Sequence, residues 1–136
     1  MTLLDTSFLY ALTNIRDRNH VLAVSTLPKL ERPLFLPSPV LPELCYLLHT
    51  RLGHQVMRQF LRIFNESEMR LLALIDDDIA RAALLLEQYA DSQLDFADAA
   101  IMALAERYNI TRVATFDRRD FSIIRPQHTA FFELLP

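Results

Sequence analysis

Apolar and polar positions divide the chain into two alternating kinds of segment. Short apolar runs at residues 2–5, 34–37, 69–75 and 112–116 have the length and flanking turn residues of buried strands. The stretches between them are longer, with apolar residues at helical spacing. Val56, Met57, Phe60, Leu61 and Phe64 form one such stripe, in a helix predicted from about His54 to Asn65. The pattern also predicts helices at about Thr6–Thr13, from His20 towards Arg32 with Pro28 limiting or bending it, from the 38–43 segment to Arg51 or Leu52, from Asp76 to about Tyr89, and from Asp95 to about Tyr108. A fifth strand falls at 122–125 or at 131–135. Strands alternating with helices imply right-handed crossovers and a mostly parallel sheet covered on both faces. The fold class is therefore α/β, as a three-layer α/β/α sandwich.

Local signals sharpen several boundaries. Ser38 can cap the third helix, whose early prolines are tolerated because their missing N–H would have no intrahelical partner. Gly53, the only glycine, suits the stop of that helix, and Asn109 can take the left-handed stop after residue 108. Asp95 is placed to cap its helix. Asp76, Asp77 and Asp78 read as a solvated helix start that suits the helix dipole. His20, His49, His54 and His128 show no metal-ligand spacing and read as surface residues.

Length and composition narrow the picture. The 136 residues, without repeats, linkers or low-complexity tracts, are expected to form a single domain over 1–136. No basic region precedes the first apolar residues and no apolar stretch is long enough to span a bilayer, so a cytoplasmic protein without membrane contact is expected. Cys45 is the only cysteine and lies in an apolar helical run, which reads as a buried structural thiol. The net charge of -3 gives no overall attraction to nucleic acid. A metal site consumes acidic residues, however, and 13 of the 14 basic residues are arginine, the better shape for bidentate phosphate contact.

The candidate chemistry lies in four acids that each sit near a strand-to-helix junction: Asp5, Glu43, Asp98 and Asp117. Each has an ordinary alternative. Asp5 could cap the following helix, Glu43 could serve the helix dipole, Asp98 could reach back to Asp95 in a capping box, and Asp117 could be a turn residue. In a parallel α/β sheet all four fall on one edge, outside the carboxyl ends of the strands, where such folds place their sites. Carboxylates gathered there repel one another unless a divalent cation holds them. Thr6, Ser7 and Thr115 are near enough to orient a carboxylate or a water. Arg118 and Arg119 could hold backbone phosphate at the rim, or be solvated turn residues.

Competing chemistries fail on missing parts. One glycine excludes a phosphate-binding P-loop and a glycine-rich dinucleotide turn. The sole lysine, Lys29, is misplaced for a receiver domain, Ser7 stands where an aspartate-nucleophile phosphatase would carry its second acid, and no G-x-S-x-G elbow is present. What remains is a hard-metal site of oxygen ligands, suited to phosphodiester hydrolysis.

Four stretches carry a resemblance: Leu4-Asp5-Thr6-Ser7-Phe8-Leu9, then Pro42-Glu43-Leu44 with Arg51-Leu52-Gly53, then Asp95-Phe96-Ala97-Asp98-Ala99-Ala100-Ile101, and Val113 through Phe121. In order and spacing they resemble the PIN domain, and more narrowly the VapC-type toxins of bacterial toxin–antitoxin pairs. The resemblance implies an endoribonuclease dependent on Mg²⁺ or Mn²⁺, with Asp5 and Asp98 on the metal and Glu43 and Asp117 completing the site. Asp117 stands where many relatives carry asparagine, and Asp120 reads as support for the turn. The resemblance also implies a homodimer held inactive by a VapB-type antitoxin, lying as a helix in a groove along the apolar helices at about 20–31 and 39–65. Two other readings stay open: a catalytically idle module of the same fold that binds RNA or protein, and a metal-dependent nuclease acting on DNA.

Overall fold

Five strands of three or four residues carry the frame, each continued by backbone that turns at once into helix or loop. They are β1 (Thr2–Leu4), β2 (Leu34–Pro37), β3 (Arg70–Leu72), β4 (Arg112–Ala114) and β5 (Glu133–Leu135). The computed structural model describes residues 1–136. The order across the sheet is β3–β2–β1–β4–β5 and every neighbouring pair is parallel. Leu3, Leu4, Leu34, Leu36, Val113 and Ala114 are all buried, as expected of parallel strands covered on both faces.

The helices are α1 (Thr6–Thr13), α2 (His20–Thr26), α3 (Val40–Leu52), α4 (His54–Glu66), α5 (Asp76–Gln88), α6 (Phe96–Tyr108) and α7 (Arg119–Ile123). From β1 to β3 the chain moves outward along the sheet, then jumps back past β1 to lay down β4 and β5. Right-handed crossovers therefore put α1–α4 on one face and α5–α7 on the other. The reversal leaves a crevice between β1 and β4, the switch point where sheets of this kind bind ligands.

Helix α6 runs through the middle of its layer. Every residue from Ala97 to Ala105 is buried, and five of those nine are alanine, which lets neighbouring elements approach closely. Asp98 is the one charged group in that run. Asp95 caps the helix, its Oδ1 accepting from Ala97 N–H at 3.2 Å. Asn109 ends it at φ 55°, with Ile110 N–H donating back to the Ala105 carbonyl at 2.9 Å. Gly53, at φ 107° and ψ 157°, separates α3 from α4 in a conformation open to glycine alone.

Five details depart from the sequence pattern. The second helix stops at Thr26 and passes into a 3₁₀ turn over Leu27–Lys29, because Pro28 withholds the next donor. Ser38 does not cap α3; its Oγ accepts from Leu74 N–H at 3.1 Å and so ties the exit of β2 to the exit of β3. Of the two candidate fifth strands the later one forms, and the earlier segment is α7. Asp78 is not solvated: it is buried, accepts from Ile75 N–H at 2.9 Å and pairs with Arg107 at 2.8 Å. His20 and His128 are half-buried and donate to the Ala11 and Ile110 carbonyls, and Cys45 is half-buried rather than buried, with desolvation pushing its thiol up.

Candidate active site

Asp5 leaves β1 in extended conformation and occupies the N-cap position of α1, yet its carboxylate makes no capping bond. Oδ2 instead accepts from Thr115 Oγ1 at 2.7 Å and from Ser7 Oγ at 2.9 Å. Those hydroxyls accept in turn from the loop after β4, Thr115 Oγ1 from Asp117 N–H at 3.0 Å and Ser7 Oγ from Phe116 N–H at 2.9 Å. The crevice between β1 and β4 is thereby bolted shut around one carboxylate oxygen. Burial pushes the Asp5 carboxyl above its ordinary range against the pull of the two hydroxyls, and the Asp117 charge adds to the push.

Asp98 enters from the first turn of α6. Its carboxyl is pushed up to about 9, first by burial, then by a carboxyl–carboxyl hydrogen bond with Asp120, then by the charges of Asp5, Asp120 and Asp95. Glu43, half-buried in the first turn of α3, is raised by burial and by the charges of Asp95 and Asp5. The site thus brings Asp5, Glu43, Asp95, Asp98 and Asp120 within each other's fields. Asp117 is exposed at the lip, where its charge reaches Asp5.

Asp120 is the residue that sequence reasoning undervalued. Far from supporting only a turn, it is buried and meets Asp98. The available signal was its place beside Phe121, a core residue: an acid next to a buried ring in a short helix at the functional edge. Thr6 behaves differently from Ser7 and Thr115. Its Oγ1 is buried without a full hydrogen bond and faces Glu43, whose charged form it favours.

The two rim arginines part company. Arg119 Nη1 reaches Asp120 at 3.0 Å and Nη2 the Ser92 carbonyl at 3.1 Å, which places its exposed guanidinium beside the acids. Arg118 is engaged with the Leu134 and Pro136 carbonyls at the end of β5. No ion pair involves Asp5, Glu43, Asp95, Asp98 or Asp117.

Buried acids without counter-charge, hydroxyl donors around them and one orphaned hydroxyl form a donor set of hard oxygens that fits a divalent cation such as Mg²⁺. No three His, Cys, Asp or Glu side chains converge tightly enough to enclose an ion. That spacing matches a cation that takes few carboxylates and keeps several waters.

A parallel sheet with a carboxylate cluster at its switch point defines an α/β protein with a hydrolase-like acidic site. The chain belongs to the PIN-domain family, whose model matches residues 2–125. It is 31% identical over 134 residues to Ribonuclease VapC26 of Mycobacterium tuberculosis, which covers 98% of this chain and 99% of the relative. Its fold superimposes with TM-score 0.85 on VapC20 of Mycobacterium tuberculosis, a sarcin–ricin loop cleaving toxin, at 25% identity over 95% of this chain and 98% of that one. The fold also matches VapBC2 from Rickettsia felis, bound to a DNA fragment from its promoter, with TM-score 0.74 at 18% identity over 99% of this chain and 98% of that one.

Proposed function

We propose that this chain is a divalent-cation-dependent endoribonuclease, the toxin half of a VapBC-type toxin–antitoxin pair, with residues 1–136 as one nuclease domain. The observation that supports it most directly is the buried acid cluster around Asp5 and Asp98, which no basic side chain neutralises. The likeness to a named ribonuclease along nearly the whole chain supports the substrate class.

In this reading Asp5 and Asp98 hold Mg²⁺ or Mn²⁺, with Glu43, Asp117 and Asp120 around them. When bound, the cation would supply an activated water and neutralise charge building on the scissile phosphate. The chain's own residues do the rest. Thr115 and Ser7 fix which Asp5 oxygen is free to face the site. Asp98 and Asp120 give up their shared proton as the cation arrives, so binding is coupled to proton release. Asp95 holds the first turn of α6 in place, and Arg119 offers a guanidinium to backbone phosphate at the rim.

A partner site is also supported. A groove of about 690 Å³ opens between α1, α3 and α4, lined by Leu9, Leu12, Val56, Phe60 and Ile63, with Arg16 and Arg51 among its walls. We assign it to the antitoxin, as an amphipathic helix with acidic flanks. A homodimer is the assembly this reading carries, and no helix is long and apolar enough to cross a membrane.

Matched RNA and DNA oligonucleotides incubated with the protein and Mg²⁺, beside Asp5→Asn, test the function. Cleavage of RNA by wild type alone is expected. Cleavage of DNA in its place would move the protein to the deoxyribonuclease reading, and equal cleavage by Asp5→Asn would dismiss the site.

A further inference from the structure

Two aromatic rings stand in solvent on the walls of the acidic cleft. Tyr46 is 68% exposed and Phe96 48%. Neither ring packs on another aromatic group or beneath a basic side chain, whereas the ring of Tyr108 lies under Arg107 at 4.3 Å. Tyr46 follows Glu43 by three residues on α3, so the two side chains share a helix face. Phe96 opens α6 between Asp95 and Asp98. The charges of Glu43 and Asp95 act on each other, so the helix ends that carry the rings face one another across the acids. Arg119 completes the rim through Ser92 and Asp120.

A single exposed ring needs no explanation. Two rings bracketing a carboxylate site, with an exposed guanidinium beside them, are the combination that binds single-stranded nucleic acid: flat faces for bases and a cation for the backbone. We propose that Tyr46 and Phe96 are base-stacking residues that hold a single-stranded or looped RNA segment across the acidic site, with Arg119 on a neighbouring phosphate. The proposal rests on the ribonuclease reading above and narrows its substrate class, since paired RNA hides the base faces these rings would cover.

Cleavage kinetics with Mg²⁺ and an unstructured RNA oligonucleotide, beside the same sequence as a duplex, test it. Phe96→Ala, Phe96→Leu and Tyr46→Ala are each expected to raise KM about 10-fold, while Phe96→Trp stays near wild type because it keeps a ring. The chain contains no tryptophan, so Phe96→Trp is also a lone fluorescent reporter. In an Asp98→Asn background, which holds the RNA uncut, its emission should be quenched by the single strand and not by the duplex. Unchanged KM in Phe96→Ala and Phe96→Leu, with wild type active, would overturn the proposal. So would a change confined to oligomeric state or partner binding, which would make the rings a protein contact. Wild type that cuts no RNA at all is a separate result: it removes the ribonuclease reading, and this inference with it.

Discussion

Asp98 sits in the first turn of a helix whose next seven residues are buried, so its charge has little water to lean on. Replacing it by asparagine keeps the shape and removes the burden. Asp98→Asn is expected to lose at least about 100-fold in cleavage while melting higher than wild type in the absence of divalent cation. A lower melting temperature would mean that the carboxylate serves the fold. The same group sets a pH dependence. Its folded pKa of about 9 lies above the ordinary value of 3.8, so the unfolded chain loses this proton first. Stability from this group is whole below about pH 4 and falls as pH rises towards 9. Melting curves with chelator at pH 5 and pH 8 should show a steeper fall for wild type than for Asp98→Asn. Equal slopes would contradict the raised carboxyl. Saturating Mg²⁺ should raise the wild-type melting temperature at pH 8, through binding to the native state alone, and leave Asp98→Asn nearly unmoved.

At the scale of elements, the junctions hold the site and one glycine shapes its flank. Thr115 belongs to the loop after β4 yet donates to the carboxylate that follows β1. Thr115→Val removes that bond with little change of volume and is expected to lower cleavage about 10- to 100-fold, with secondary structure intact by circular dichroism. Gly53→Ala meets no atom within 4 Å, so any cost is purely conformational. Its φ of 107° predicts a loss of about 1–3 kcal/mol, measurable by urea titration. Elements with strong periodicity or a clear stop were legible in the sequence: α1, α4 and α6, the Gly53 break and the Asn109 cap. Ser38, Asp78 and Asp120 were not, because each is satisfied by a group distant in sequence. Leu74, Arg107 and Asp98 respectively have no local signature that would announce such a partner. Asp5 and Asp98 could be read from position alone, since a parallel sheet gathers its strand exits on one edge.

For the whole molecule, the topology separates two tasks. The β1–β4 switch point gathers the acids, while α1, α3 and α4 build the apolar groove on one face. Ile63 lines that groove and is 56% exposed, so Ile63→Glu should abolish binding of the antitoxin and leave RNA cleavage near wild type. Retained partner binding would move the antitoxin to another surface. The central claim, that the acid cluster is a cation-dependent ribonuclease site, is tested most directly by Mg²⁺-dependent cleavage of a mixed RNA pool containing structured and unstructured species, with wild type and Asp98→Asn side by side. The account predicts that wild type cuts, that chelator stops it, and that Asp98→Asn leaves the pool intact. Equal cutting by both proteins, or cutting that survives chelation, would contradict it.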